Sequence, residues 1–382
     1  MRPRPPASRA KRLLFSLLPL ALTAALVEGL PRLRWGPPPP GPGLTRLSRC
    51  AIDAQGLQCP DEVHKSVPVG AHGPRPRLVL LGASTVRNTL APGARGDFSE
   101  PLQALLPEVE VLNLGLPGLS TAGVAQLAAQ LGPLQPDLVL IHTGHNDYNE
   151  LVFSGAIRAN YRFQVAITTV LAHSWLRAAL GARPTPRRRP PTPEDLLAVQ
   201  GHQARDERAA RDQRFAIELQ AAIDAAPAPV LLSTLMRNSH FPPFGHEVDG
   251  RPDCPAQLRG WQARAHDLPT WTAAVARGCG EGPLLDWLMA QQSADPAERR
   301  QRWDRATDAD AAPLRAPVRA DRIIAQIVDK NSVPYVDLGA LEGGLQPGRW
   351  FFDPLHTGPE GARAMATALA PAVQAALQRG GR

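Results

Sequence analysis

Short apolar runs alternate with helical patterns of hydrophobic residues from about residue 74 onward. The runs contain few polar positions, which is typical of strands buried on both faces of a parallel sheet. They lie at 78–81, 109–112, 138–141, 230–232 and 335–336. Helical patterns occupy 121–131, 207–225, 320–328 and 358–378. This alternation predicts an α/β domain with a parallel sheet of about five strands.

Two insertions interrupt the alternation inside the predicted domain, which spans 74–382. The first, 153–203, contains a basic, proline-rich stretch that favours irregular, exposed chain. The second, 237–314, has helical patterns and is predicted to form a small helical subdomain with an aromatic core. Its tryptophans are Trp261, Trp271, Trp287 and Trp303. Residues 284–309 within it resemble a helix pair of the tetratricopeptide kind.

The first 35 residues have the pattern of an export signal. Five basic residues between Arg2 and Arg12 precede the uncharged, mostly apolar stretch 13–27. Fifteen residues suit a signal-peptide core and fall short of the about 20 that usually span a bilayer, yet no clean Ala-x-Ala site follows. The segment is therefore predicted to be either a removed signal or, preferably, an anchor in the inner membrane. It would place the domain in the periplasm, or outside the cell if it is cleaved.

Residues 36–73 are predicted to be a proline-rich linker followed by a small cysteine-containing segment. Cys50 and Cys59 form one plausible local pair, and Cys254 and Cys279 form another. Export to an oxidising compartment permits two disulfides, although four unpaired cysteines are the alternative. The cysteine spacing is not that of a zinc site.

The formal net charge of +7 does not indicate a nucleic-acid partner. Much of the excess lies near the N-terminus and in the run Arg187, Arg188 and Arg189. No zinc-finger spacing, recognition-helix pattern or RNA-binding aromatic motif accompanies these charges. We therefore expect no nucleic-acid binding, and the oligomeric state stays open.

Polar residues with potential for acyl transfer follow three of the predicted strands. Ser84 comes directly after the first strand, within Gly-Ala-Ser-Thr, where open α/β sheets bind their ligands. Gly118 and Asn146 follow the second and third strands, within Asn-Leu-Gly-Leu-Pro-Gly and Gly-His-Asn-Asp. The N–H groups of Ser84 and Gly118 and the Asn146 amide are candidate donors to an oxyanion. Near the C-terminus, Asp353 and His356 lie three positions apart in a short loop before the last helix.

These four blocks, in this order and approximate spacing, resemble those of the SGNH (GDSL-like) hydrolases. The resemblance covers about 76–148 and 331–375, and Ala83 stands where the GDS form has aspartate. It implies a flavodoxin-like, three-layer α/β/α fold. A finer similarity, to exported bacterial members with a tetratricopeptide-like insert, rests on 238–243 and 308–315.

The resemblance implies a serine hydrolase acting on carboxylic esters. Ser84 maps to the nucleophile, Asp353 and His356 to its partners, and Gly118 and Asn146 to the oxyanion hole. The expected substrate is an ester of a small molecule, envelope glycan or lipid, and the acyl group removed from it could be acetyl. Thioesterase or lysophospholipase activity would use the same residues, and a catalytically silent scaffold that binds a partner through the insert is the alternative.

No cofactor or metal is expected. His142 and His145, with His356, suggest a metal site only superficially, because HExxH-type spacing is missing. We instead expect one of the first two to be packed and the other to lie at the surface. The tryptophans of the second insertion are expected to form a core rather than a sugar-binding platform.

Overall fold

The computed structural model describes fourteen stretches of the chain. They are residues 50–59, 66–87, 97–148, 202–239, 241, 243, 269, 272–273, 276, 282–310, 315–343, 350–351, 353 and 355–380. The predicted export signal, the proline-rich part of the linker and nearly all of the first insertion lie outside these residues. Within the described ranges, no helix combines the length and apolar character needed to cross a membrane. The membrane anchor therefore stays a prediction.

Eight strands and seven α-helices of the described residues define the architecture. The strands are β1 (Ala51–Asp53), β2 (Gly56–Gln58), β3 (Val67–Pro68), β4 (Arg77–Gly82), β5 (Glu110–Asn113), β6 (Leu138–His142), β7 (Val230–Ser233) and β8 (Tyr335–Val336). The helices are α1 (Ser99–Leu105), α2 (Thr121–Ala128), α3 (His202–Ala225), α4 (Pro283–Gln292), α5 (Pro296–Ala309), α6 (Arg319–Asn331) and α7 (Pro359–Gly380). Short 3₁₀ helices occupy Gly132–Leu134 and Gly339–Gly343.

The central sheet is parallel and has the order β5-β4-β6-β7-β8. Counted along the chain within this sheet, the order is 2-1-3-4-5, which is the flavodoxin-like arrangement. The chain crosses from one side of β4 to the other between β5 and β6. Such a reversal opens a crevice at the carboxyl ends of the strands, next to β4 and β6.

Helices cover both faces of this sheet, which confirms the predicted three-layer α/β/α fold. Alternate β4 side chains point to opposite faces, as the pleat of a strand requires. Val79 and Leu81 join a core cluster with side chains from α2, α3 and α6. Leu78 and Leu80 join a second cluster with side chains from α1 and α7. All four are fully buried, and truncating one such leucine to alanine typically costs about 2–5 kcal/mol.

A second, three-stranded antiparallel sheet, β1-β2-β3, precedes the central one. The sequence predicted a cysteine-containing segment here but no strand. Cys50 and Cys59 are joined by a disulfide across the ends of β1 and β2. The Ile52 N–H donates to the Gln130 side chain, 3.0 Å away, and so ties the small sheet to the end of α2. Cys254 and Cys279, the other predicted pair, lie outside the described residues.

Helices α4 and α5 form an antiparallel pair at the position of the predicted tetratricopeptide-like unit. The Asp295 side chain caps the start of α5 by accepting the Ala297 N–H at 3.0 Å. Trp287 and Trp303 are buried, and the Trp287 indole N–H donates to the Ser239 carbonyl at 3.1 Å. The helix pair is therefore fastened to the segment that follows β7. Trp261 and Trp271 lie outside the described residues.

Candidate active site

Ser84 lies in a tight turn that begins where β4 ends. The Ala83 carbonyl accepts the N–H groups of Val86 and Arg87, at 3.1 and 3.2 Å, so the chain turns immediately after the strand. Glycine is required at position 82, because a Cβ there would lie 2.1 Å from the His142 carbonyl oxygen of the neighbouring strand and 2.3 Å from Val86 Cγ2 within the turn. The Ser84 hydroxyl is thereby held at the carboxyl edge of the sheet, beside the crevice.

The structure brings Ser84, His356 and Asp353 into one hydrogen-bonded chain. His356 Nε2 lies 2.8 Å from Ser84 Oγ, and His356 Nδ1 lies 2.5 Å from Asp353 Oδ2. Ser84 and His356 are buried, with 5% and 8% of their surfaces exposed. One ring nitrogen therefore faces the hydroxyl while the other faces the carboxylate. This is the arrangement by which a histidine activates a serine.

The Asp353 carboxylate is fixed by its own turn. Its Oδ1 accepts the backbone N–H groups of Leu355 and His356, at 2.8 and 2.7 Å. Burial raises the pKa of this carboxyl, but the hydrogen bond and the charge of the His356 ring, with the two backbone donors, outweigh burial. The net effect lowers the pKa of Asp353 below its ordinary value. The group is thus held ionised beside the ring that it orients.

Gly118 lies in the turn that follows β5, in a conformation that favours glycine. The Leu119 N–H donates to the Leu116 carbonyl at 3.1 Å, and Pro117 and Gly118 occupy the two central positions. Gly118 has φ +77°, as the third residue of a type II turn requires. No atom lies within 4 Å of the place where its Cβ would be, so space alone does not select glycine here.

Asn146 is connected to the Gly118 turn by its side chain. Its Nδ2 donates to the Leu119 carbonyl at 2.9 Å. The next residue, Asp147, accepts the Thr121 N–H and hydroxyl, at 3.0 and 2.8 Å, and so caps the start of α2. Two adjacent residues after β6 are therefore hydrogen-bonded to the segment that follows Gly118. The two predicted oxyanion residues belong to one connected structure.

The structure buries both His142 and His145, so the expectation that one lies at the surface is wrong. His142 ends the central strand β6 and has its Nδ1 2.8 Å from Ser233 Oγ. His145 Nδ1 accepts the Ala316 N–H at 3.1 Å. Burial, aided by the Arg237 charge, lowers the pKa of His142 to about 4 and that of His145 well below its usual value. Both are packed, neutral rings, and no cluster of three or more metal-ligating side chains occurs in the described part of the chain.

From the sequence, no role at the site was assigned to two buried arginines and an asparagine, although two of the three lie in the stretches 238–243 and 308–315. Arg237 makes a bidentate ion pair with Asp321, with N–O distances of 2.5 and 2.9 Å. Arg315 donates to the carbonyls of Asn238 and Phe241. Asn238 in turn donates from Nδ2 to the Asp353 carbonyl at 3.0 Å. A basic residue four positions after the end of the apolar strand β7 was one available signal, but it does not identify a partner.

The chain was compared with family models, curated proteins and solved structures, and only solved structures match it. A catalytic mutant of an acetylxylan esterase from Geobacillus stearothermophilus is similar, with 13% identity and a TM-score of 0.35, over 81% of this chain and 95% of that one. A GDSL-like lipase from Bacteroides thetaiotaomicron has 12% identity and a TM-score of 0.33, over 78% and 88%. A member of the lipolytic G-D-S-L family from Veillonella parvula has 12% identity and a TM-score of 0.35, over 77% and 96%.

Matches at these identities and scores say nothing about activity. The chain's own structure describes the fold more specifically than these matches do. Its parallel sheet has the 2-1-3-4-5 order, and the strand order reverses between β4 and β6. Ser84 follows β4, Asn146 follows β6, and the hydrogen-bonded pair Asp353 and His356 precedes the last helix. The chain thus has a flavodoxin-like α/β/α fold, the fold that its resemblance to the SGNH hydrolases implied, with the four sequence blocks placed around the carboxyl edge of the sheet.

Proposed function

We propose that this protein is a serine hydrolase that cleaves carboxylic esters. The observation that carries the proposal is the pair of contacts at His356, 2.8 Å to Ser84 Oγ and 2.5 Å to Asp353 Oδ2. A serine hydroxyl is a weak nucleophile unless a base removes its proton, and a histidine oriented by a carboxylate is such a base.

In the proposed acylation step, His356 Nε2 takes the Ser84 proton while Ser84 Oγ attacks the ester carbonyl carbon. The carbonyl oxygen becomes negative as the tetrahedral intermediate forms. The N–H groups of Ser84 and Gly118 and the Asn146 amide stabilise that charge. His356 then gives its proton to the leaving alcohol, the C–O bond breaks, and the acyl group stays on Ser84.

Deacylation repeats these events with water as the nucleophile. His356 removes a water proton, the resulting oxygen attacks the acyl carbon, and the same donors stabilise the second oxyanion. The proton on His356 returns to Ser84 Oγ as the acid leaves. Asp353 stays ionised throughout and stabilises the imidazolium in each half-reaction.

We further propose that the protein is exported and hydrolyses acyl esters, such as acetyl esters, of envelope glycans or lipids. The Cys50–Cys59 disulfide supports export, because such bonds persist in oxidising compartments. The basic, apolar N-terminus is consistent with an anchor in the inner membrane that leaves the domain in the periplasm.

The test compares the full-length chain with its Ser84→Ala variant in detergent. We expect the wild type to hydrolyse p-nitrophenyl acetate and to bind a fluorophosphonate probe covalently, and the variant to do neither. Ser293→Ala, in the connection between α4 and α5, is the matched control and should retain both activities. Chain length and thioester preference are then measured with p-nitrophenyl butyrate, p-nitrophenyl palmitate and an acetyl thioester.

A wild type that neither hydrolyses any of these esters nor reacts with the probe would contradict the proposal. The silent scaffold would then be the better account, and partners of the α4–α5 pair should be sought. Probe labelling that persists in Ser84→Ala would instead place the reactive group elsewhere.

A further inference from the structure

The turn that carries Asp353 and His356 is strongly connected within itself. Three of its hydrogen bonds join Asp353 to the two residues that end the turn, and they fix the carboxylate relative to the ring. They do not fix the turn relative to the sheet that carries Ser84. A rigid pair that shifts as a unit would keep its internal bonds and lose the alignment of His356 with the hydroxyl.

Asn238 supplies a hydrogen bond from the sheet to this turn. It follows β7 and is 115 positions earlier in the chain than Asp353, and its Nδ2 donates to the Asp353 carbonyl at 3.0 Å. The bond reaches the backbone of Asp353, so it leaves both carboxylate oxygens to the turn and to His356. Asn238 is buried, with 7% of its surface exposed, which limits competition from water.

Two side chains hold the Asn238 segment in place through three hydrogen bonds. The buried guanidinium of Arg315 donates to the carbonyls of Asn238 and Phe241, and so brings the residues before and after the α4–α5 pair together. The Trp287 indole N–H donates to the Ser239 carbonyl from α4. The segment is thus anchored by the helical insertion on one side and contacts the turn on the other.

We infer that Asn238 is a positioning residue for Asp353, and through Asp353 for the alignment of His356 with Ser84. This inference rests on the proposed function. The helical insertion then has a role at the site, because it holds the residue that places the catalytic turn. No contact between Asn238 and substrate is implied.

The main test is a double-mutant cycle on full-length protein, with the second-order rate of fluorophosphonate labelling as the readout. Asn238→Ala should slow labelling about fivefold, the amount expected for one neutral hydrogen bond of roughly 1 kcal/mol. In an Asp353→Asn background the same substitution should change the rate by less than about twofold, because the group it positions is already impaired. With p-nitrophenyl acetate, kcat should fall and KM should stay within about twofold.

Ser239→Ala is the matched control. Its hydroxyl is buried in the same segment and has no hydrogen-bond partner in the described part of the structure. Removing it should leave the labelling rate unchanged and should not lower the melting temperature, because no hydrogen bond is lost. Asn238→Leu, which has a similar size, loses the donor and adds no charge, replaces Asn238→Ala if the latter does not fold by circular dichroism.

The outcomes separate the two claims. A wild type that neither labels nor hydrolyses defeats the proposed function and this inference with it. An active wild type whose Asn238 variants label at the same rate defeats the inference alone. Equal slowing in the wild-type and Asp353→Asn backgrounds also overturns it, because Asn238 would then act on the fold rather than through Asp353.

Discussion

Asn146 Nδ2 donates a hydrogen bond to the Leu119 carbonyl, 2.9 Å away, across the carboxyl ends of β5 and β6. The donor follows one strand and the acceptor belongs to the turn after another, with β4 between the two strands in the sheet. Asp147 adds a second connection through Thr121. An oxyanion hole works without reorganisation only if its donors are fixed beforehand, and these bonds hold Asn146 and the Gly118 turn, two of the three proposed donors, relative to each other.

We predict that Asn146→Ala lowers kcat for p-nitrophenyl acetate by about 10²–10³, the usual cost of losing one oxyanion donor. KM should change little, because the charge develops only in the transition state. Asn331→Ala is the control, since its Nδ2 also donates to a backbone carbonyl, that of Ile327 at 2.8 Å, but at the end of α6. Equal turnover in Asn146→Ala and wild type would remove Asn146 from the proposed oxyanion hole.

Gly118→Ala tests backbone conformation, because the new methyl group has room but φ +77° is unfavourable for alanine. We expect it to lower the free energy of unfolding by about 1–2 kcal/mol, or to reshape the turn and lower kcat. Gly132→Ala is the matched control, since its Cβ also meets no atom within 4 Å and its φ is not positive. Urea unfolding and kcat of both variants are the measurements, and identical values for the two would contradict the argument.

The strands of the central sheet could be predicted because a strand that is buried on both faces has an uninterrupted run of apolar residues. The run 78–81 contains only apolar residues, and the structure extends it by a single residue at each end, to Arg77–Gly82. The third strand was similarly close, at Leu138–His142. Ser84 was predictable for the same reason, since the end of a strand fixes the edge of the sheet at which the next residues lie.

The elements that sequence reasoning missed have weak local patterns. Strands β1 and β3 have three and two residues, too few for a recognisable alternation, and the small sheet depends on a disulfide and on a bond to α2. Helix α1 has seven residues and no side-chain cap. The role of Asn238 could not be predicted for another reason, because its partner Asp353 is 115 positions away in the sequence.

Asp353 should give the stability of the protein a measurable pH dependence. Its pKa in the folded chain is below the ordinary value of 3.8, so the unfolded chain binds its proton more readily. Its contribution is therefore complete above about pH 4 and is lost as the pH falls through the folded value. We predict that the difference in unfolding free energy between wild type and Asp353→Asn shrinks from pH 5 to pH 3, measured in urea.

At pH 7 the Asp353→Asn variant should also lose about 10⁴ in kcat, because no carboxylate orients the His356 ring.

A difference between these two proteins that is constant from pH 5 to pH 3 would contradict the pKa assignment without touching the catalytic one. Catalysis is judged separately, from kcat at pH 7.

The Cys50–Cys59 disulfide should stabilise the fold without affecting the site. It closes a loop with a sequence separation of 9, for which the lowered chain entropy of the unfolded state corresponds to about 2–3 kcal/mol of stability. The small sheet contacts the 3₁₀ helix Gly132–Leu134, which precedes β6 at the amino edge of the central sheet, and Ser84 lies at the carboxyl edge. We predict that Cys50→Ala/Cys59→Ala lowers the free energy of unfolding by about that amount and leaves kcat unchanged.

Dithiothreitol separates this bond from the other predicted pair. In the double variant the first disulfide is gone, so any further loss of stability on reduction must come from a bond between Cys254 and Cys279. No further loss would argue against that second disulfide. A fall in kcat in the unreduced double variant would contradict the separation of the two edges, because it would show that the small sheet influences Ser84 across the whole length of β4.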